Sequence, residues 1–166
     1  MKRNILIIAA FIGSLLLASC GEKKDALVKQ ADDMFTQAET DLQGIDNLDD
    51  FFSFQDEMEG KIDNLVQQIM DTYGISETEE DIPDAVQQIL VRADAYNQKV
   101  NVKYEELLNP LLESMETAIA NGDKEAAQEA YTTMKKYSEY DLPSEAVEER
   151  CANIIAGLRD LGVIGE

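Results

Sequence analysis

The side chains that could do chemistry in this 166-residue chain are two thiols and many carboxylates. The chain has two cysteines, Cys20 and Cys151, and 34 acidic residues against 14 basic ones, but no histidine. Without histidine, catalysis by Ser-His-Asp or Cys-His groups, the H-E-x-x-H zinc site and haem attachment through C-x-x-C-H are excluded. Thiol modification, cation binding and carboxylate chemistry remain open.

Cys151 lies on the apolar stripe of a predicted C-terminal helix, between Val147 and Ile154. A nucleophilic thiol needs a histidine or a nearby cation to hold it as the thiolate. Arg150 is adjacent in sequence, but consecutive helix residues point to different faces. We therefore expect Cys151 to pack in the core as a small hydrophobic residue.

The acidic residues are concentrated in the first half of the chain. Residues 30–91 carry 17 acids and one base, whereas residues 92–166 carry 15 acids and eight bases. The densest patch consists of Glu77, Glu79, Glu80, Asp81 and Asp84. It lacks the D-x-[DN]-x-[DN]-G spacing of a calcium loop, so we expect a solvated surface; an acidic cation-binding protein is the alternative.

The charge and the missing motifs also limit the partners. A formal net charge of -20 argues against nucleic acid, because binding to phosphates depends on lysine and arginine. The sequence shows no nucleophile-base pair, no phosphate-binding glycine loop and no metal-ligand spacing. We therefore expect a protein that is not an enzyme and that takes no cofactor and no metal.

The first 19 residues have the pattern of an export signal. Lys2 and Arg3 precede an uncharged, largely apolar run over residues 5–19. As a helix this run would reach about 22 Å, short of a hydrocarbon core of about 30 Å, so we expect the segment to be removed. An ordinary secretory signal is one alternative, but Leu17 is bulky where a cut after Ser19 would want a small residue.

The residues Leu17-Ala18-Ser19-Cys20 resemble the lipobox of bacterial lipoproteins. In that family the cysteine thiol receives a diacylglyceryl group, the signal is cut just before the cysteine, and in many species the new amine is acylated too. The resemblance covers about the first twenty residues and implies lipid attachment at Cys20, where more than one acyl chain anchors stably. Gly21 stands where some inner-membrane lipoproteins carry aspartate, which favours the outer membrane of a bacterial cell envelope.

Three segments are expected along the chain. Residues 1–19 form the removed signal, residues 20–29 a short lipidated tether that runs into the first helix, and residues 30–166 the folded domain. No proline-rich or glycine-serine linker comes after Cys20. The folded body is therefore predicted to lie close to the lipid.

Apolar residues at spacings of three and four predict an all-α fold, a single-domain bundle of four to six antiparallel helices. Gly44 is predicted to end the first helix in the left-handed conformation. The stripe of that helix consists of Leu27, Ala31, Met34, Ala38 and Leu42. The second helix is predicted to be capped by Asp46 or Asn47 and to have a stripe that only Gln55 interrupts.

The remaining helices are separated by turn signals. Gly74 can end the second helix, and Pro83 is placed in the first turn of the third. Pro110 interrupts the third stripe, where one helix is kinked or a new helix begins. Two shorter helices are predicted after it, one from Asp123 and one starting near Pro143.

Three phenylalanines crowd the start of the second helix. Phe51 belongs to the core stripe, Phe52 lies on its flank, and Phe54 lies about 60° further round. A helix can turn only one or two of them inwards. Phe52 and Phe54 are therefore the candidate partner-binding residues, with closure of the core at the end of the bundle as the alternative.

Residues 120–131, with the turn Asn121-Gly122-Asp123, a small Ala127 and the aromatic Tyr131, resemble the turn and second helix of a tetratricopeptide repeat. The match covers half a repeat, and neither Trp-x-x-Leu-Gly nor a period of about 34 residues is present. This resemblance implies a helical interaction scaffold as one alternative. The function favoured by the sequence is a lipid-anchored envelope protein with a non-enzymatic binding or scaffolding role and a protein partner.

Overall fold

Helices account for most of the chain that the computed structural model describes, residues 21–74, 83–138 and 140–165. In chain order they are α1 (Gly21–Gln43), α2 (Leu48–Tyr73), α3 (Asp84–Ala120), α4 (Lys124–Lys135) and α5 (Glu145–Asp160). These described ranges contain no β-strand. The structure confirms the all-α fold, and its five described helices fall within the expected four to six.

The ends of α2 are set by local sequence. The Asn47 side chain caps the helix by accepting a hydrogen bond of 2.8 Å from the Asp50 amide, and Gly74 ends it in the left-handed conformation with φ 62°.

At the end of α1, the prediction of a left-handed Gly44 is wrong, because the φ of Gly44 is not positive. The Gly44 amide instead donates to the Asp41 carbonyl, so α1 ends in a tight right-handed turn.

Pro110 lies inside α3 and does not start a new helix. Proline removes one backbone donor and crowds the preceding turn, which costs about 3 kcal/mol in a helix interior. Leu108 and Leu112 on either side of it are fully buried. Burial of such side chains stabilises by roughly 1.5–3 kcal/mol each, which is enough to keep the helix continuous through the proline.

The chain forms two compact units that divide within α3, after Val100. The first unit contains α1, α2 and the start of α3. Its core includes Leu27, Ala31, Phe35, Phe51, Met58, Leu65, Val86, Tyr96 and Val100. The second unit contains the rest of α3 with α4 and α5, and its core includes Tyr104, Leu108, Leu112, Met115, Ala127, Val147, Ile154 and Leu158.

The core aromatic residue of α1 is Phe35 and not Met34, which corrects the predicted stripe. Phe35 is 1% exposed, whereas Met34 is half-buried. The Phe35 ring lies 5.3 Å from the Tyr96 ring, and the Arg92 guanidinium lies over it at 5.7 Å. Because both partners belong to α3, the periodicity of α1 alone does not contain this information.

Candidate functional site

Cys20, the predicted site of lipid attachment, lies outside the described residues, as does the predicted signal at 1–19. The next residue along the chain is described, and it is the first residue of α1, Gly21. The residue next to the proposed acylated cysteine is therefore already helical. Among the described helices, none has the length and hydropathy needed to cross a membrane.

The structure separates the two candidate partner-binding phenylalanines. Phe52 is 5% exposed and packs edge to face against Phe51, with ring centroids 5.2 Å apart. A buried ring offers little surface to a partner, and partner binding by either phenylalanine stays a prediction. Phe54 is half-buried, and Asp50 and Glu57, one helical turn to either side of it, are exposed. Phe54 remains the candidate residue.

The acidic patch of the sequence is only partly described. Asp84 is the exposed first residue of α3, whereas Glu77, Glu79, Glu80 and Asp81 lie outside the described residues. Within the described ranges no group of three or more cysteine, aspartate and glutamate side chains is placed to hold a metal ion. Cation binding by the acidic patch stays a prediction.

Cys151 is buried on α5, 4% exposed. Burial raises the pKa of its thiol above the ordinary value, and Arg150 opposes that rise only in part. The Arg150 guanidinium is held elsewhere: it donates to both carboxylate oxygens of Glu116 at 2.6 and 2.7 Å and to Asn109 at 2.8 Å. Since a buried neutral thiol is a poor nucleophile, the position suits packing.

An ion cluster between α1 and α3 was not predicted from the sequence. Arg92 binds Asp32 at 2.9 Å and also binds Glu39, whose carboxylate accepts a second hydrogen bond from Lys99. Burial alone would raise the pKa of Glu39, but the hydrogen bonds from Lys99 and Arg92 outweigh it and hold that pKa below its ordinary value. The cluster joins α1 to α3.

The spacing of these charges is a signal that the sequence does contain. Asp32 and Glu39 are seven residues apart on α1, and Arg92 and Lys99 are seven residues apart on α3. Residues at that spacing share one helix face, so two acids and two bases form matching rows. These rows can be read from the sequence, but which acid meets which base depends on the register between the two helices.

Gln55, the residue that interrupts the stripe of α2, lies next to Tyr96 inside the first unit. Burial raises the pKa of Tyr96 to about 12, and the Glu39 carboxylate acts in the same direction, whereas Gln55 opposes the rise. Among the described residues, neither the Gln55 amide nitrogen nor the Tyr96 hydroxyl meets hydrogen-bond geometry with a partner. The interruption of the apolar stripe thus places an amide group beside a buried phenol.

Comparison of the chain with models of protein families, with curated proteins and with solved structures found no match. What the described surface offers to another molecule near Phe54 is a partly exposed aromatic ring among carboxylates.

Proposed function

We propose that this chain is a lipid-anchored protein of the bacterial cell envelope whose helical body binds or scaffolds another protein. The observation that carries the proposal is Leu17-Ala18-Ser19-Cys20 at the end of a basic and then apolar N-terminal segment. The proposal is compatible with the helical state of Gly21, because a cut before Cys20 removes no residue of α1. Gly21 after the cysteine favours the outer membrane.

Acylation of Cys20 is tested by a matched pair of cysteine variants expressed in bacteria with lipoprotein-processing enzymes. We expect the parent chain in the membrane fraction, with Cys20 as an acylated first residue by mass spectrometry. The Cys20→Ala variant should carry no acyl group. It should also no longer be processed as a lipoprotein. Cys151→Ala, which removes the buried thiol, should leave both results unchanged.

Two results would contradict the anchoring proposal. One is a parent chain cut at a bond other than the one before Cys20, and the other is a Cys20 that carries no acyl group. Either would point to an ordinary secretory signal with an incidental cysteine.

The binding role is supported by the surface around Phe54. The ring is half-buried on α2, between the exposed Asp50 and Glu57. Phe54→Ser should keep the helical content and lower the free energy of unfolding by about 1 kcal/mol or less, because only part of the ring is removed from water. In intact envelopes it should reduce the yield of a cross-linked complex with the partner protein.

Phe52→Ser is the matched control, two positions away on the same helix. Because Phe52 is in the core, that variant should lose roughly 3–5 kcal/mol of stability. An unchanged cross-linking yield in Phe54→Ser would show that the partner does not contact Phe54. A loss of stability in Phe54→Ser equal to that of Phe52→Ser would show that Phe54 is a core residue.

A tetratricopeptide-like scaffold is the second candidate, and the turn between α3 and α4 favours it. Gly122 has φ 68°, the Asp123 side chain caps α4 by accepting from the Ala126 amide at 3.1 Å, and Ala127 is fully buried. The lengths of the two helices do not favour it, since α3 has 37 residues and α4 has 12. A repeat fold is built from helix pairs of similar length and sequence pattern.

A further inference from the structure

Three helix ends meet at the same end of the first unit. The connection 44–47 reverses the chain between α1 and α2, and the Gln30 side-chain Nε2 donates to the Gln68 side-chain Oε1 at 3.1 Å. Gln30 lies near the start of α1 and Gln68 near the end of α2. The two helices are therefore antiparallel, and the end of α2 lies beside the start of α1.

Helix α3 runs parallel to α1 in this unit. Asp32 pairs with Arg92, Phe35 with Tyr96 and Glu39 with Lys99. The partners are separated by 60, 61 and 60 positions, so the register is constant over two helical turns. Carried back along both helices, this register places Asp84, the first residue of α3, at the level of the first turn of α1.

We propose that this end of the first unit rests on the bilayer surface, with α1 pointing away from the membrane. The surface consists of the first turn of α1, the last turn of α2 and the first turn of α3. The inference rests on the proposed acylation of Cys20. Gly21, the residue after Cys20, already belongs to α1, so the sequence has no linker between the proposed anchor and the helix, whereas a flexible glycine-serine linker would let the body turn freely.

The sides of the unit give no reason for it to lie flat. A helix that lies in the interface needs an apolar face. Among the described residues of this unit, Val91 is the one large apolar side chain that is exposed. The outer positions of α1 are polar, as at Lys29, Asp33 and Gln37. End-on contact therefore keeps the polar sides in water.

This orientation places Phe54 away from the lipid. The 23 residues of α1 span about 34 Å at about 1.5 Å per residue. The connection 44–47 and the first turns of α2 lie at the far end of that length. Most of that length separates them from the bilayer, so Phe54 faces partners in the aqueous space.

The orientation is tested with single labelling sites at the two ends. The acylated full chain, with Cys151→Ala as background, is reconstituted in phosphatidylcholine vesicles that contain nitroxide-labelled headgroups. Thr72→Cys, in the last turn of α2, and Gly44→Cys, after α1, are both at exposed positions and each carries a fluorophore. Zwitterionic lipid is chosen to avoid repulsion between anionic headgroups and the acidic connection between α2 and α3, which contains Glu77, Glu79, Glu80 and Asp81.

We expect the headgroup nitroxides to quench the label at Thr72→Cys several times more strongly than the label at Gly44→Cys. A flexible glycine-serine insertion between Cys20 and Gly21 should make the two values similar, because it frees the body from the anchor. Equal quenching at both sites without the insertion, or stronger quenching at Gly44→Cys, would overturn the orientation. A chain that carries no acyl group and does not float with the vesicles would instead overturn the proposed function.

Discussion

Above about pH 10 the free energy of unfolding is expected to fall steeply, because two tyrosines are buried as neutral phenols. Tyr96 and Tyr104 are each 1% exposed. Burial raises the pKa of Tyr96 to about 12, and burial also raises the pKa of Tyr104, with Cys151 adding in the same direction. A tyrosine in the unfolded chain ionises near 10.

The direction of the effect is set by proton binding. Between pH 10 and 12 the unfolded chain loses phenol protons that the folded chain keeps, so stability is complete below pH 10 and is lost as the pH rises. For Tyr96, whose pKa is raised to about 12, the loss of stability amounts to about 3 kcal/mol. Tyr104 adds to this loss, and the total is large against a typical stability of about 5–15 kcal/mol.

The measurement is a series of urea unfolding curves between pH 8 and pH 12, with phenolate absorbance followed in the same samples. Tyr96→Phe and Tyr104→Phe should each flatten the decline, because phenylalanine has no proton to lose. Tyr131→Phe is the matched control at a half-buried position. A decline that is identical in the parent chain and in all three variants would contradict the prediction.

The features that the sequence predicted correctly are local ones. Asn47 and Gly74 bound α2 through contacts within a single turn, so their residue types suffice to place them. Gly44 shows the limit of this reasoning: glycine permits the left-handed conformation but does not require it, and the turn after α1 closes without it. Pro110 is similar, since the burial of its neighbours decides whether α3 continues.

The candidate site residues likewise divide into those that local sequence predicts and those that depend on how the helices pack. Cys20 is predicted from a motif that processing enzymes read along the chain, so no tertiary structure is needed. Phe52 and Phe54 are close in sequence, and only the packing of α2 decided which of them is buried. The ion cluster of Glu39, Arg92 and Lys99 depends on the register between α1 and α3, which the spacing of one helix cannot supply.

The choice between Met34 and Phe35 illustrates the same limit and leads to a prediction with a large expected effect. Both residues are apolar, and either completes a stripe with Ala31 and Ala38 at spacings of three and four. The periodicity of α1 is therefore satisfied twice. The decision comes from α3, which places the Tyr96 ring and the Arg92 guanidinium against Phe35.

Phe35→Ala is expected to lower the free energy of unfolding by about 3–5 kcal/mol, because it leaves a cavity where a fully buried ring packs against Tyr96. It also exposes one face of Arg92 that the ring covers. Met34→Ala is the matched control and should cost about 1 kcal/mol, since that side chain is half-buried. Urea unfolding of the two variants measures the difference. Equal losses would contradict the packing described, in which Phe35 and not Met34 is fully buried.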